Sequence, residues 1–332
     1  MYSDEDLNLA VKNGIFTDLS VEQFRHLLTT ERNSPIVDEE NFKLIGGFND
    51  IFVVIACLLL LFSSHWVVEF ITKSTSIGFL VFSFLAWGLS EIFVKQRKMA
   101  LPAIVLLIAF IGGVFWFVHE LVTLSYELMT AIAAGASFFA AGIHWWRFKV
   151  PITIAVAAIA LIGLFVSLLL IVFPPAQTWL MLILFMCGLI TFTFAMYWDS
   201  KDTKRISHHS DVAFWLHLLS APLIIHPVFS SLGILKGTES LLGLTLVMCL
   251  YLMMSGISIA IDRRAFMVSS LVYVIFAISS MIENFGGVGY SFAITGVLMG
   301  ASLLILSAFW QPWRRRLVSQ LPLVVRDNLP VV

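Results

Sequence analysis

Residues 199–231 read DSKDTKRISHHSDVAFWLHLLSAPLIIHPVFSS, a basic polar loop that passes directly into a long apolar run. The apolar run contains two histidines and two prolines, His217, Pro222, His226 and Pro227. An apolar run of about 20 residues predicts a membrane-spanning helix, because at 1.5 Å per residue it crosses the hydrocarbon core. The same unit of polar loop and apolar run recurs along the chain and therefore decides the fold class.

The composition is that of a membrane protein. Of the 332 residues, 59% are hydrophobic and 12% are charged, and the mean hydropathy is +0.95. Soluble domains are about one quarter charged. Three cysteines, Cys57, Cys187 and Cys249, lie in separate apolar runs without a C-x-x-C pattern, so we interpret them as small apolar residues.

Ten apolar segments are predicted to cross the membrane. They are placed at 44–64, 74–94, 99–118, 126–146, 150–173, 176–198, 212–232, 240–261, 265–282 and 289–310. The predicted fold is an all-α polytopic membrane protein with about ten transmembrane helices. Residues 1–43 are predicted to form a short cytoplasmic helical preface and linker, residues 44–310 the transmembrane domain, and residues 311–332 a cytoplasmic tail.

The loop charges predict the orientation. Thirteen lysines and arginines follow the even-numbered segments, in the clusters 95–98, 147–149, 201–205, 263–264 and 314–316. The opposite loops contain only Lys73 and Lys236. Short cytoplasmic loops collect Lys and Arg, so both termini are predicted to be cytoplasmic. Most of the tryptophans also fall near segment ends, as expected of an interfacial belt.

The N-terminal preface is acidic and is predicted to contain two short helices. Asn13-Gly14 is expected to end the first helix, and Ser20 with Gln23 forms a capping-box pattern for the second. Two such helices have too little apolar surface to fold alone. We expect residues 1–40 to dock on the membrane domain or on a cytoplasmic protein partner. Nucleic acid is not an expected partner, because its contact needs a basic surface.

Polar residues within the apolar runs are the candidate site, since each is costly in a bilayer. The candidates for substrate or proton coupling are Asn49, Asp50, Glu91, Asp211, Trp215, His217 and His226. All but His226 lie at a similar depth on the predicted cytoplasmic side, where they could converge into a polar cavity. The alternative is that each side chain reaches water or pairs with a neighbouring Lys or Arg, and that Asp211 caps its helix.

His217 and His226 are predicted to lie on opposite faces of one helix, so they cannot share a metal or haem unless that helix is broken. Pro222 and Pro227 favour a break or a kink. A broken helix would line a cavity, as in many transporters. The alternative is a kinked packing helix with its histidines bonded to freed carbonyls. On the opposite side of the membrane, residues such as His65 and Glu69 are interpreted as a solvated acidic rim.

No enzyme motif is present: the chain lacks G-x-x-x-x-G-K-[ST], H-E-x-x-H and G-x-S-x-G. No cofactor or metal site is expected.

Three short stretches resemble uncharacterised bacterial multi-pass inner-membrane proteins of the domain-of-unknown-function kind. They are Asn13-Gly14-Ile15-Phe16 followed by Gln23, Gly46-Gly47-Phe48-Asn49-Asp50, and Trp198-Asp199 leading to Ser210-Asp211-Val212-Ala213-Phe214-Trp215-Leu216-His217. The resemblance implies a location in the bacterial inner membrane and a multi-pass topology. It implies no catalytic activity.

The leading functional hypothesis is a transporter or permease for a small solute, linked to protons through Asp50, Glu91 and His217. A second hypothesis is a non-transporting accessory or sensor subunit that binds a cytoplasmic partner through the preface. A haem or metal oxidoreductase is a third.

Overall fold

The computed structural model describes residues 4–24, 48–121, 123–203, 205, 208–233, 241–284, 290–322, 326 and 329–330. The described residues are mostly helical and include no strand. The all-helical fold class is therefore confirmed.

Residues 4–24 belong to a unit that is separate from the apolar helices. Helix α1 is Asp4–Lys12, and residues 18–24 are also helical. Gly14 has a φ of 70° and ends the first helix as predicted, with Gly14 N–H donating to the Val11 carbonyl at 3.0 Å. The predicted capping box is wrong, because the second helix is capped one turn earlier by reciprocal bonds between Thr17 and Ser20. The predicted linker from residue 34 to residue 43 lies outside the described residues.

Eleven further α-helices are described, of which the first ten correspond to the ten predicted segments and the last lies at the start of the predicted tail. They are α2 (Phe48–Thr72), α3 (Thr75–Ser90), α4 (Ala100–Leu121), α5 (Tyr126–Phe148), α6 (Ile152–Val172), α7 (Leu180–Ser200), α8 (His208–Ser231), α9 (Leu241–Ile261), α10 (Ala265–Asn284), α11 (Ser291–Ala308) and α12 (Trp310–Ser319). Helix α3 continues into a π-helical stretch, Glu91–Gln96, and a 3-10 stretch, Pro174–Trp179, precedes α7.

Seven of the described helices, α2 to α8, are long and apolar enough to cross a membrane. An eighth span is obtained if α11 and α12, which are bent by 66° at Phe309, are counted as one. The qualifying apolar parts of α9 and α10 are shorter, Thr245–Ile261 and Ala265–Ser280. The chain is thus a multi-pass membrane protein with seven to eight apolar helices able to span, and the predicted count of about ten is not confirmed.

Helix α2 is longer than predicted. Its apolar segment was expected to end at residue 64, whereas the helix continues to Thr72 because the following residues return to an apolar pattern. His65 and Glu69 therefore lie on the helix one turn apart, with Nε2 of His65 3.5 Å from Oε2 of Glu69. His65 is buried rather than part of a solvated rim. Its imidazole lies against Gly78 of α3, where an added Cβ would be 2.6 Å from Nδ1.

Helix α8 is the most buried of the seven spans, with 56% of its apolar window inside the protein. It runs without interruption from His208 to Ser231 through Pro222 and Pro227. Of the two alternatives left open by the sequence, the broken helix is therefore wrong and the continuous packing helix is the one observed. Proline costs a backbone hydrogen bond, but packing on several sides keeps the helix continuous, since Ala221, Ile225 and Phe229 are fully buried.

Helix α8 also joins two groups of helices. Trp215 packs against the apolar core formed by α4, α5 and α6. Further along, Ile225 and Phe229 belong to a core that includes α9, α10 and α12. Helix α7 approaches α8 closely at Gly188, where an added Cβ would lie 2.9 Å from Leu223 Cβ. This close approach sets the position of the polar residues at the basic end of α7.

Candidate functional site

A buried hydrogen bond joins the end of α7 to α8. Nε2 of His217 lies 2.9 Å from Oδ2 of Asp199, and both side chains are inaccessible, at 0% and 1% exposure. A carboxylate only accepts hydrogen bonds, so the imidazole donates from Nε2. This assignment leaves the lone pair of His217 on Nδ1, and Nδ1 is buried without a hydrogen-bond partner among the described residues. Nδ1 is thus the ring nitrogen of His217 whose lone pair is not engaged among the described residues.

Arg263, directly after α9, is the second partner of Asp199. Its Nη2 donates to Oδ1 of Asp199 at 2.6 Å and to Oγ and the carbonyl oxygen of Ser210, both at 3.1 Å. The backbone holds Arg263 in place, because its N–H donates to the Ser258 carbonyl at 3.0 Å and its own carbonyl accepts from the Ser258 hydroxyl. The side chain is 2% exposed.

A second buried carboxylate, Asp262, adjoins the first group in sequence. It accepts from Nη1 of Arg205 at 2.9 Å and from Nε1 of Trp310 at 2.8 Å. Nε of Arg314 is 3.7 Å away, and Nη2 of Arg314 donates to the carbonyl of Pro330 at 2.7 Å. Burial, with a further effect of the nearby Arg263 charge, lowers the pKa of Arg205 to about 10.

These residues form one connected feature, which we call the arginine network: Asp199, Arg205, His217, Asp262, Arg263, Trp310 and Arg314. It joins the ends of α7 and α9, the first half of α8, and α12. Buried charges need partners of good geometry, because each ion loses several kcal/mol of hydration. Three guanidinium groups against two carboxylates make the network cationic by one charge when His217 is neutral. The network thus holds a titratable group among fixed charges.

Aromatic rings close the network on its apolar side. The ring of Phe192 on α7 lies 5.5 Å from the His217 ring, and that of Phe266 on α10 lies 6.5 Å away. Phe192 and Phe266 also contact each other edge to face at 5.3 Å. These rings place apolar surface against the imidazole, and in such a low-dielectric setting a charged ring is costly unless a partner such as Asp199 stabilises it.

A second polar group lies at the ends of α3 and α5. Two of the three guanidinium nitrogens of Arg147 donate to Glu91, Nε at 2.7 Å and Nη2 at 2.8 Å. Glu91 lies in the π-helical stretch and is 27% exposed, and Arg147 is 40% exposed. Nearby, His144 is fully buried and lies 4.6 Å from the ring of Phe148 and 6.1 Å from that of Trp87.

The predicted site residues therefore have different surroundings. Asn49 is exposed, and Asp50 beside it is buried in the first turn of α2. Asp211 lies in the first turn of α8, 3.7 Å from Nδ1 of His208. Trp215 packs against the core of α4 to α6. Glu91 pairs with Arg147 whereas His217 pairs with Asp199, so these two candidates belong to separate clusters.

His226 takes no part in the contacts of His217. Its Nδ1 lies 2.6 Å from the hydroxyl of Tyr273 on α10, whereas His217 bonds to α7. This agrees with the prediction that the two histidines lie on opposite faces. No group of three or more His, Cys, Asp or Glu side chains that could hold a metal occurs in the part of the chain that the structure describes.

Sequence reasoning missed most of the arginine network. It treated Arg205, Arg263 and Arg314 only as loop cations that report orientation. Neither Asp199 nor Asp262 was among the candidate site residues, although each carboxylate stands at a segment end next to basic residues. That adjacency is the signal that could have indicated pairing between the loops.

Comparison with protein families, with curated proteins and with solved structures finds no match to this chain. The resemblance to bacterial inner-membrane proteins therefore stays a prediction.

Proposed function

We propose that this protein is a proton-linked transporter or permease for a small solute in a bacterial inner membrane. In this proposal all ten predicted segments cross the membrane, and both termini are cytoplasmic. The basic ends of the helices then face the cytoplasm, in accordance with the positive-inside rule. The observation that carries the proposal is the fully buried His217, bonded to a carboxylate and retaining an open proton-accepting nitrogen.

The chemistry of the site suits proton coupling. When Nδ1 takes up a proton, the imidazolium is stabilised by Asp199 and opposed by the adjacent Arg263. Its charge state therefore changes the balance of a network that ties α7, α8, α9 and α12 together. Buried ionisable residues of this kind mark proton relays in membrane transporters. The coupling site is thus His217 with Asp199 and Arg263, and Glu91 acts separately with Arg147.

The test is solute flux in proteoliposomes with an imposed pH gradient, using a panel of anionic, cationic and neutral small solutes. His217→Gln retains a donor for Asp199 but cannot take up a proton. We expect it to lose the pH-dependent part of the flux. His65→Gln is the matched control, because it removes a buried histidine from another His–carboxylate pair, and it should transport normally. The proposal fails if no solute is carried or if His217→Gln transports like the wild type.

One observation favours a second function, that of an accessory or sensor subunit. The separate unit at residues 4–24 exposes several large apolar side chains, among them Leu9 at 60%, Ile15 at 70% and Leu19 at 66% exposure. Exposed apolar side chains at this density are typical of a protein-binding surface.

Gentle purification from native membranes tests this alternative. A stoichiometric partner should be recovered with the whole chain and lost after deletion of residues 1–40 or after Ile15→Glu with Leu19→Glu. Recovery of no stoichiometric protein with the whole chain would count against it.

A further inference from the structure

An apolar groove lies between α5, α6 and α7, with Leu216 of α8 among its lining residues. We call it the lateral groove. Its volume is about 1000 Å³, at the upper end of the roughly 300–1,000 Å³ typical of ligand sites. Phe139 and Ile190 line it and are 73% and 70% exposed, so the groove opens at the side of the protein rather than into its interior.

The groove exists because two consecutive helices diverge. Helices α6 and α7 follow each other through the 3-10 stretch Pro174–Trp179, yet make few contacts with each other. Helix α7 instead packs tightly on α8, and α6 on α5. Small residues, including Gly142 and Ala158, widen the space between them. At Gly142 an added Cβ would meet nothing within 4 Å.

The groove offers almost no hydrogen bonds to a ligand. Its two hydroxyl groups are already engaged: Thr191 donates to the Cys187 carbonyl at 2.8 Å, and Oγ1 of Thr153 lies 3.5 Å from Nδ1 of His144. A polar solute would lose its hydration here without compensation. The body of a ligand must therefore be hydrocarbon, which is what the surrounding bilayer supplies.

Two lysines stand where the groove reaches the basic end of the helices. Nζ of Lys149, just after α5, lies 5.6 Å above the ring of Trp145, which lines the groove. Nζ of Lys201, just after α7, lies 4.2 Å above Tyr197, whose ring stacks on the groove residue Phe194. Both lysines are exposed. Ammonium groups above an aromatic rim, next to an apolar slot, complement an anionic headgroup with hydrocarbon chains.

We propose that the lateral groove is a binding site for an anionic phospholipid of the bilayer, with acyl chains between α5, α6 and α7 and the phosphate held by Lys149 and Lys201. The lipid fills a gap that the helices leave open, and so supports the position of α7 and of Asp199 at its end. The site does not depend on the transport function.

The experiment is native mass spectrometry of the whole protein purified in detergent with equal amounts of phosphatidylglycerol and phosphatidylcholine. We expect one phosphatidylglycerol to be retained in preference to phosphatidylcholine. Replacing both lysines, Lys149→Gln with Lys201→Gln, should lower this preference about thirty-fold. Gly142→Leu should fill the groove and remove the retained lipid of either headgroup.

Matched controls are available for both changes. Lys98→Gln replaces another exposed loop lysine with a positive φ, 51° against 56° for Lys149, away from the groove. Gly88→Leu introduces the same side chain at an exposed helical glycine whose Cβ position is also open. Both controls should retain the lipid.

Three results would overturn the proposal: equal retention of the two lipids by the wild type, retention by Gly142→Leu equal to that of Gly88→Leu, or a tightly held apolar molecule that is not a phospholipid. If Gly142→Leu does not fold, the exposed lysine variants decide the question alone: an unchanged preference for phosphatidylglycerol after Lys149→Gln with Lys201→Gln overturns the proposal.

Discussion

The Glu91–Arg147 pair and the Asp199–Arg263 pair use the same chemical groups in two different settings. Each joins the ends of two helices that are separated in sequence, with donor–acceptor distances of 2.7 Å and 2.6 Å. The first pair is 27% and 40% exposed, whereas the second is 1% and 2% exposed. The difference lies in what surrounds them: water reaches the first pair, and α7, α8 and α9 enclose the second.

This difference determines what each pair contributes. Solvent and salt weaken the attraction within an exposed ion pair, so such a pair contributes about 0–1 kcal/mol to the free energy of unfolding. A buried pair adds little net stability over an apolar substitute, but breaking it leaves an uncompensated charge. The Asp199–Arg263 pair therefore behaves as a fixed constraint on how α7, α8 and α9 meet, and the Glu91–Arg147 pair as an adjustable surface contact.

The largest difference in stability between the two pairs is expected for Arg263→Met. This substitution leaves the Asp199 carboxylate buried with His217 as its remaining side-chain partner. We expect the free energy of unfolding in detergent micelles to fall by about 3–5 kcal/mol. Arg147→Met is the matched substitution at the exposed pair, and it should lower the free energy of unfolding by at most about 1 kcal/mol. Similar losses for the two variants would show that the two settings do not differ energetically.

Trp310→Phe removes one hydrogen bond from the second buried carboxylate, Asp262, and retains most of the apolar contact. Hydrogen bonds to charged groups contribute about 1.5–3 kcal/mol, and we expect a loss of stability in that range. Trp313→Phe on the same helix is the control, because Trp313 is 61% exposed. An equal melting temperature for the two variants, measured in the same detergent, would contradict a role of Trp310 in the network.

Gly188→Ala tests the close contact between α7 and α8 that positions Asp199. The new Cβ would lie 3.0 Å or closer to Leu223 and Ile224 atoms, including a backbone carbon. Overpacking of this kind lowers the free energy of unfolding by about 1–3 kcal/mol. Gly142→Ala adds the same methyl group to the open groove and should not lower stability. If denaturation curves of the two variants coincide, α7 and α8 are not held as tightly as the structure indicates.

Much of the fold could be predicted from the sequence. Apolar run length placed the helices, most of them within a few residues, since the need to bury apolar surface acts locally. The placement of basic residues after alternate segments agrees with the ion pairs, which bring the ends of α3 and α5 together and those of α7 and α9 together. The end of α2 was missed and the continuity of α8 was left open, because a proline or a short polar interruption is tolerated when neighbouring helices pack around it.

The candidate site was predicted only in part. His217 was recognised as costly in an apolar run, and the structure places it at 0% exposure. Its partners were not recognised, because Asp199 and Arg263 are separated by 64 positions. A loop arginine that reaches water and one that turns inward have the same local sequence pattern.

The amino-acid sequence by itself determined that this protein is an all-helical, multi-pass membrane protein in which most loop lysines and arginines follow alternate apolar segments. Hydropathy and charge are properties of each segment alone, so no tertiary information is needed. Only the tertiary structure decided which polar residues form the arginine network and where the lateral groove opens. Both depend on α7 packing against α8 through Gly188 rather than against α6. That choice rests on side-chain shape across helices, which no single segment encodes.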